Sequence, residues 1–313
     1  MIKYANLLAF VARSHWAMHP SKLAAMQQIL QFAVAGGKRS ESEIEARIDA
    51  ARINPSRERS VARRAGAVAV LPLHGVISPR ARLVEDVSTD PGTSVDSFQR
   101  QFRGALADPE VKAIILDVNS PGGNVYGVPE MSAEIFAARG DKPIIAHVDA
   151  MAASAAYWLA SAADEVVVTP SGEVGSIGVY TLHEDISRHL EGLGVTESFI
   201  SAGKYKVEGN PFEPLSEEAR AAMQADVDAY YAMFVDSVAQ QRGVKSAEVR
   251  NGFGEGRTVL AKAAVGQNMA DRVATLDQTL ERFGVSRRPA APVDAGGNAR
   301  MSLRHRELEL LNI

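Results

Sequence analysis

The sequence contains no cysteine. A disulfide framework, a Cys-ligated zinc or iron–sulfur centre and a thiol nucleophile are therefore excluded, so any catalyst in the chain uses oxygen or nitrogen. An excess of one charge is also lacking, because 34 Lys and Arg face 38 Asp and Glu and leave a formal net charge of −4. This balance provides no global basic field to hold nucleic acid or an anionic membrane, and we expect neither as a partner.

Long apolar runs are missing as well. No stretch approaches the ~20 apolar residues that a membrane-spanning helix needs. The N-terminal run Tyr4–Ala12 leads into Arg13 without the small-residue cleavage site of a signal peptide. We therefore expect a cytoplasmic protein with neither a signal peptide nor a transmembrane segment. Its 46% hydrophobic and 23% charged residues are typical of a folded globular chain.

The chain divides into three predicted regions. Residues 1–66 are expected to form a helical N-terminal extension and linker, residues 67–284 the functional domain, and residues 285–313 a flexible tail rich in Pro and Gly. Within the extension, the predicted elements are helices at Ser21–Val34 and Ser42–Ile53 and a charged, arginine-rich linker at Asn54–Gly66.

The central region alternates short apolar runs with amphipathic helical segments, which is the pattern of an α/β domain with a largely parallel sheet. Ser216 is predicted to cap the long helix that ends at Gln241, with two glutamates in its first turn. The predicted strands are Ala67–Leu73, Ala113–Val118, Ile144–Asp149, Glu165–Thr169 and Glu197–Ser201, and the helices between them are Val95–Leu106, Val128–Ala138, Ala153–Ala162 and Asp185–Leu193.

Glycine and hydroxyl residues follow three of these strands. The turn Pro121–Gly123 allows close approach of the backbone to a ligand and presents N–H groups suited to a developing oxyanion, although a plain strand-to-helix turn uses the same residues. Ser154 stands among small residues at a helix start, which fits an accessible hydroxyl and close helix–sheet packing equally well. Gly175–Val179 marks a tight backbone path, and its Ser176 is better explained by the turn than by catalysis.

Two lysines, Lys204 and Lys206, are candidate bases. A lysine accepts a proton from serine only when neutral, and with a free pKa near ~10.4 the neutral fraction at pH 7.5 is on the order of 10⁻³, so burial must supply a lower pKa. Their spacing does not choose between them. A Ser-His-Asp arrangement with His74, His147, His183 or His189 stays open. No histidine spacing or phosphate-binding motif predicts a metal or nucleotide cofactor.

Four motifs, taken in order, resemble the signal peptide peptidase A family, the S49 serine peptidases. They are Asn119–Gly123, Ala152–Tyr157, Gly175–Val179 and Gly203–Lys206, and the resemblance covers about Ala67–Phe283. It implies the fold shared with Clp protease and the crotonases, in which β-α-β units stack and protomers assemble into rings.

The resemblance also implies roles for individual residues. Ser154 matches the family nucleophile, and Lys206 matches the base that closes the motif G-x-[YH]-K. The backbone N–H groups of Gly123 and Ala155 match the oxyanion donors, with Gly122 shaping the turn. The family usually has two glycines at positions 155 and 156, where this chain has alanines, so the shape of the pocket differs. Further residues implied to shape the site or the substrate groove are Gly175, Ser176 and Tyr205.

Within the family, the extension around Trp16–Pro20 and the lack of an anchor are similar to the bacteriophage branch, the prohead or capsid-assembly proteases. This implies a cofactor-free Ser-Lys endopeptidase that acts on scaffold, portal or capsid proteins in a host cytoplasm or prohead. It also implies a homo-oligomer with sites near protomer interfaces. Alternatives are a bacterial peptidase that degrades leftover signal peptides, a non-catalytic capsid scaffold on the same fold, and a crotonase-type acyl-CoA enzyme with pocket carboxylates.

Overall fold

The computed structural model describes residues 14–20, 23, 63–65, 67–80 and 92–285. The two helices predicted in the N-terminal extension lie outside these residues, apart from Leu23, and so does the C-terminal tail beyond Val285.

The described elements alternate strands and helices along the chain. The strands are β1 (Trp16–Met18), β2 (Arg63–Ala65), β3 (Val68–His74), β4 (Ile77–Ser78), β5 (Thr93–Ser94), β6 (Ala113–Ser120), β7 (Gly122–Asn124), β8 (Ile144–Ala153), β9 (Glu165–Val168), β10 (Glu173–Gly175), β11 (Thr258–Leu260) and β12 (Arg272–Val273). The helices are α1 (Val95–Ala107), α2 (Val128–Ala137), α3 (Ala155–Ala160), α4 (Ser187–Gly192), α5 (Glu217–Arg242), α6 (Ser246–Gly252), α7 (Ala261–Gly266) and α8 (Leu276–Glu281).

The larger sheet has the strand order β11-β10-β8-β6-β3-β2, and β9 joins it by pairing with both β8 and β12. Its central pairs are parallel, while the pairs β2/β3 and β10/β11 at its edges are antiparallel. The prediction of an α/β domain with a largely parallel sheet is therefore confirmed. Strands β3, β6 and β8 are buried along nearly their whole length, as expected for strands covered on both faces.

A second, smaller sheet has the order β1-β7-β4-β5 and lies beside the carboxyl ends of the larger one. Its strand β1 falls in the region expected to be a helical extension, and β2 falls in the expected charged linker, so both expectations were wrong at these points. Strands of three residues are too short to show the alternation on which a prediction depends, and here pairing with distant strands creates them.

Most of the predicted helices and strands are confirmed within a few residues of their expected bounds. The Ser216 hydroxyl caps α5 by accepting a hydrogen bond from the amide of Ala219 at 3.1 Å, as predicted. The strand predicted at Glu197–Ser201 was wrong: this segment is irregular and exposed. A strand needs a hydrogen-bonded partner, and β10 already takes the place beside β8.

Helices cover both faces of the larger sheet. The larger apolar core includes residues of α1, α2, α3 and α5 packed against the sheet, and a smaller cluster places Leu280 of α8 against Ile115 and Ile145 on the other face. Because the central strands are parallel, β6, β8 and β10 all end at the same edge. Residues that follow these three strands are therefore brought together, as in other open α/β folds.

Candidate active site

Ser154 lies at the corner between β8 and α3 in a conformation that side chains rarely adopt. Its φ is 58° and its ψ is −120°, a combination that favours glycine. The corner is held by the Ser154 amide, which donates to the Gly175 carbonyl at 2.7 Å, and by the Ser154 carbonyl, which accepts from the Trp158 amide at 3.0 Å. Nucleophilic serines of α/β-hydrolases occupy a similarly strained strand-to-helix corner.

The segment Gly175–Val179 packs directly against Ser154. Strand β10 pairs with the end of β8, and the Ser154 hydroxyl donates to the carbonyl of Gly178 at 3.3 Å. Ser176 is also left-handed, with φ 54°, and its amide donates to the Arg257 carbonyl at 2.8 Å. This geometry agrees with the interpretation of Ser176 as a turn residue rather than a second nucleophile.

Gly122 and Gly123 are also at this corner, in strand β7. A Cβ on Gly122 would lie 3.0 Å from the Cβ of Ser154, and a Cβ on Gly123 would lie 1.9 Å from the carbonyl oxygen of Ile77. Neither position has room for a side chain: glycine at 122 lets the backbone of β7 approach Ser154 closely, and glycine at 123 lets it approach β4. The amide of Gly122 donates to the Ser120 hydroxyl at 3.1 Å.

Ala155 begins α3 immediately after Ser154. The amides in the first turn of a helix have no acceptor within that helix, so the Ala155 N–H is free of an intrahelical bond. Both Ala155 and Ala156, which stand where the resembled family has glycines, are fully buried. The structure thus brings together Ser154, Gly122, Gly123, Ala155 and Gly175, which the sequence singled out separately.

Contacts behind the corner hold α3 in place. The Trp158 ring stacks on Phe234 of α5 with centroids 4.4 Å apart, and the Tyr157 hydroxyl donates to the Met269 carbonyl at 2.8 Å. Burial raises the pKa of Tyr157, so its hydroxyl stays protonated and is a structural anchor.

The guanidinium of Arg139 completes this anchoring, because it donates to the carbonyls of Ser161, Ala162 and Ala163 at 2.6–2.9 Å, where α3 ends. These anchors were not identified from the sequence, since no local pattern marks which carbonyls a distant arginine will reach.

Lys206 is exposed and does not contact Ser154 in the single chain. Among the described residues, no hydrogen bond joins the Lys206 Nζ to the Ser154 hydroxyl, which donates to the Gly178 carbonyl instead. Lys206 instead lines an open cleft of about 410 Å³ together with His15, Thr181 and Asp226. The structure therefore does not bring the predicted base to the predicted nucleophile.

Lys204, the alternative base, hydrogen-bonds to Tyr205 and Glu218 rather than to Ser154. Its Nζ donates to the Tyr205 hydroxyl at 2.7 Å and to a Glu218 carboxylate oxygen at 3.0 Å. The hydrogen bond to Tyr205, together with that to Glu218, raises the pKa of Lys204, which is the opposite of what a general base requires. Tyr205 donates to Glu218 at 2.8 Å as well, so its side chain faces α5 rather than Ser154.

The histidines considered as bases are also apart from Ser154. His74 lies 3.4 Å from Asp117, and the His183 ring nitrogen lies 3.0 Å from the Asn210 carbonyl. His147 is buried within β8, and burial lowers its pKa. None of these three rings hydrogen-bonds to the Ser154 hydroxyl in the part of the chain that the structure describes.

Residues 137–287, which include Ser154 and Lys206, match the model of peptidase family S49. The chain carries a peptidase family S49 domain. The family resemblance found in the sequence motifs is thereby confirmed. The matched range begins after β7, so Gly122 and Gly123 lie outside it.

Curated relatives of the S49-domain chain include phage proteins. The chain is 34% identical over 227 residues to the head-tail preconnector protein GP5 of Enterobacteria phage P21, and the alignment covers 72% of this chain and 44% of that protein. It is 35% identical over 177 residues to the capsid assembly protease C of Escherichia phage lambda, covering 56% of this chain and 40% of that protein. Protease 4 of Salmonella typhi is 29% identical to the chain over 208 residues, and the alignment covers 66% of this chain and 33% of that protein. The chain spans less than half the length of these three relatives.

Solved structures that align in part with the chain include two enzymes. The membrane-bound stomatin-specific protease 1510-N gives a TM-score of 0.44 at 17% identity, covering 69% of this chain and 83% of that one. An enoyl-CoA hydratase/isomerase family member gives a TM-score of 0.39 at 14% identity, covering 72% and 73%. In the described residues of the S49-domain chain, no helix is both long and apolar enough to span a bilayer.

Proposed function

We propose that the S49 domain is a serine endopeptidase with Ser154 as nucleophile and Lys206 as general base. The observation that carries the proposal is the Ser154 corner: a buried serine held at positive φ, with the β7 glycines and the Ala155 amide beside it. Strained backbone of this kind persists only where its surroundings over-determine it, and it is concentrated at functional sites.

The proposed reaction gives each of these groups a chemical role. Neutral Lys206 accepts the proton of the Ser154 hydroxyl, and the Ser154 oxygen attacks the carbonyl carbon of a peptide bond. The N–H groups of Gly123 and Ala155 donate to the oxyanion of the tetrahedral intermediate. The proton passes from Lys206 to the leaving amine, and water then hydrolyses the acyl-enzyme with Lys206 again as base.

Because Lys206 is exposed in the single chain, the proposal includes the association of protomers. A lysine in water is almost entirely protonated at neutral pH, so it becomes a base only where desolvation favours its neutral form. The segment that carries Lys206 exposes Leu193, Phe199 and Ile200, the last with 103% of its reference area in solvent. We propose that this segment, residues 193–209, is an interface arm that packs on a neighbouring protomer and brings Lys206 to a Ser154 in a desolvated site.

The physiological substrates that we propose are head, scaffold or portal proteins of a phage. Two relatives support this choice, since their names place them at the head-tail preconnector and in capsid assembly. A bacterial peptidase acting on signal peptides is the second candidate, favoured by the similarity to protease 4. Cleavage assays on scaffold protein and on a signal peptide distinguish the two.

The proposed dyad is tested by profiling cleavage of a peptide library with the full chain and matched variants. We expect Ser154→Ala and Lys206→Ala each to lower the cleavage rate by at least about 10³. Lys204→Ala removes a neighbouring lysine that is bonded to Tyr205 and Glu218, and should cleave at nearly the wild-type rate.

The assembly state of each protein is measured alongside. If Ser154→Ala cleaves as well as wild type, the nucleophile is wrong, and if Lys204→Ala rather than Lys206→Ala is inactive, the base is wrong. A well-folded wild type that cuts neither the library nor unfolded protein would favour the scaffold alternative.

A further inference from the structure

Residues 14–20 of the chain cross the candidate site as an extended strand. On one side, β1 pairs antiparallel with β7, with Trp16 opposite Asn124, Ala17 opposite Gly123 and Met18 opposite Gly122. This segment is therefore inserted into the small sheet that borders Ser154.

On its other side, the same segment bonds to the chain that follows Gly178. Trp16 and Tyr180 exchange both backbone hydrogen bonds, at 2.8 and 3.0 Å, and the Thr181 hydroxyl donates to the Ser14 carbonyl at 3.3 Å. A strand held by main-chain bonds on both sides is the way in which an extended peptide is recognised by strand addition.

The register of β1 brings one peptide bond to the nucleophile. The point where a Cβ of Gly122 would lie is 2.3 Å from the carbonyl oxygen of Ala17 and 3.0 Å from the Cβ of Ser154. The Ala17 carbonyl oxygen and the Ser154 side chain therefore border the same point beside Gly122, and Ala17 is also paired with Gly123, one of the proposed oxyanion donors.

The side chains of the strand are seated as those of a bound peptide would be. Trp16, Ala17 and Met18 are all at most 2% exposed, and alternation along a strand directs Ala17 to the face opposite to its two neighbours. A small residue thus stands at the position whose carbonyl meets Ser154, between two large anchored ones. With this strand in place, Ser154 itself is only 1% exposed, so no other peptide has access to it.

We propose that the chain holds its own Ala17–Met18 peptide bond as a substrate and that Ser154 cleaves it, which releases the strand and opens the groove. This proposal rests on the proposed peptidase function and names one substrate of that site. The Ser154 oxygen forms an ester with the Ala17 carbonyl carbon, and the bond to the Met18 nitrogen breaks. The Met18 nitrogen leaves as a free amine with the proton taken from Ser154, and water then frees the Ala17 carboxylate.

The test is intact-mass and N-terminal analysis of the purified full chain during incubation, with cleavage of a peptide library measured in the same samples. We expect the wild type to lose residues 1–17 and to begin at Met18, with library cleavage that shows a lag until this conversion is complete. In Ser154→Ala, conversion at this bond should fall by at least about 10³.

Two variants in the strand give a matched comparison. Ala17→Asp places a carboxylate at a buried position that it cannot occupy without cost, so the strand should leave the site, the 17–18 bond should stay intact and library cleavage should start without a lag. Pro20→Asp places the same charge at an exposed position of the same segment, and it should be processed like the wild type.

Each remaining outcome decides against the inference. A wild type that cuts the library while its Ala17–Met18 bond stays intact overturns the inference and leaves the peptidase function standing. A folded wild type that cuts neither overturns both. Cleavage of Ala17→Asp at the same bond and rate as the wild type would show that the bond is not cut in the seated strand.

Discussion

At the scale of single residues, the backbone conformation of Ser154 lowers the stability of the fold while it positions the hydroxyl at the candidate site. A non-glycine residue at φ 58° and ψ −120° carries strain, of about 1–2 kcal/mol by the usual measure for L-residues in left-handed conformations. The strain is the consequence of placing a side chain, with its Cβ, at a corner that glycine would adopt freely.

Ser154→Gly and Ser154→Ala both remove the hydroxyl, but only glycine also relieves the backbone strain. We expect the glycine variant to exceed the alanine variant in free energy of unfolding by about 1 kcal/mol, which is the reverse of their usual order at an ordinary position. Urea denaturation of the two variants measures the difference, and neither should cleave peptides. A more stable alanine variant would show that Ser154 is not strained.

The sequence motifs identified the residues of the corner, and the structure supplies what joins them. Ser154, Gly123 and Gly175 could each be selected because glycines and small residues at strand ends carry a local signal. Lys206 is different, since a motif points to it but the structure does not bring it to Ser154. The position of Ala17 beside the site could not be predicted from the neighbouring residues, because it arises from pairing with β7, about a hundred residues away in the sequence.

At the scale of secondary-structure elements, the fold was predictable where strands are long and buried. β3, β6 and β8 are continuous apolar runs and were found from composition alone, whereas β1, β4 and β7 have two or three residues each and exist only through their partners. The exposed segment at Glu197–Ser201 has strand-like composition but no partner strand among the residues that the structure describes. Composition therefore predicts a strand only when the fold provides a neighbour.

An ion pair between Arg242, at the end of α5, and Asp271 stabilises the fold in a way that depends on pH. Arg242, 7% exposed, donates to both Asp271 oxygens at 2.7 and 2.9 Å, and the Asp271 carboxylate also accepts from the amide of Val166 at 2.7 Å. Burial acts to raise the pKa of Asp271, but these hydrogen bonds and the Arg242 charge outweigh it, and the pKa is lowered. A lowered folded-state pKa means that the stabilisation is present above the unfolded pKa, near ~4, and is lost as pH falls through the folded value.

We expect Asp271→Asn to lower the free energy of unfolding at pH 7 by about 1–3 kcal/mol, because it leaves Arg242 without its counter-charge. The difference from wild type should shrink as the pH is lowered below ~4, where the wild-type carboxylate becomes protonated too. Urea unfolding across pH 3–7 measures it. Asp141→Asn, at an exposed position, is the control and should change stability by less than about 0.5 kcal/mol. A difference that is independent of pH would mean that the charge of Asp271 does not contribute.

At the scale of the whole molecule, the single chain builds the corner around the proposed nucleophile, Ser154, but does not bring the proposed base, Lys206, to it. The corner is built from β7, β8, α3 and β10, which are all packed against one core. Lys206 is on a segment that exposes apolar side chains and contributes none of its residues 193–201 to a strand or helix of the sheet. The proposal that one protomer's arm completes another's site is based on these two observations, a buried corner and an exposed apolar arm in the same chain.

This proposal predicts that assembly and activity are lost together when the arm is changed. Ile200→Asp places a charge on a fully exposed side chain, so the stability of the monomer should change by less than about 0.5 kcal/mol. A carboxylate at the centre of an apolar contact would, however, be desolvated without a partner. We therefore expect the variant to sediment as a monomer and to cleave peptides at least about 100-fold more slowly than the assembled wild type. Leu260→Asp changes an exposed apolar residue outside the arm, and it should assemble and cleave normally. A monomeric wild type with full activity would instead require Lys206 to reach Ser154 within one chain, by movement of the arm over the cleft that it now lines.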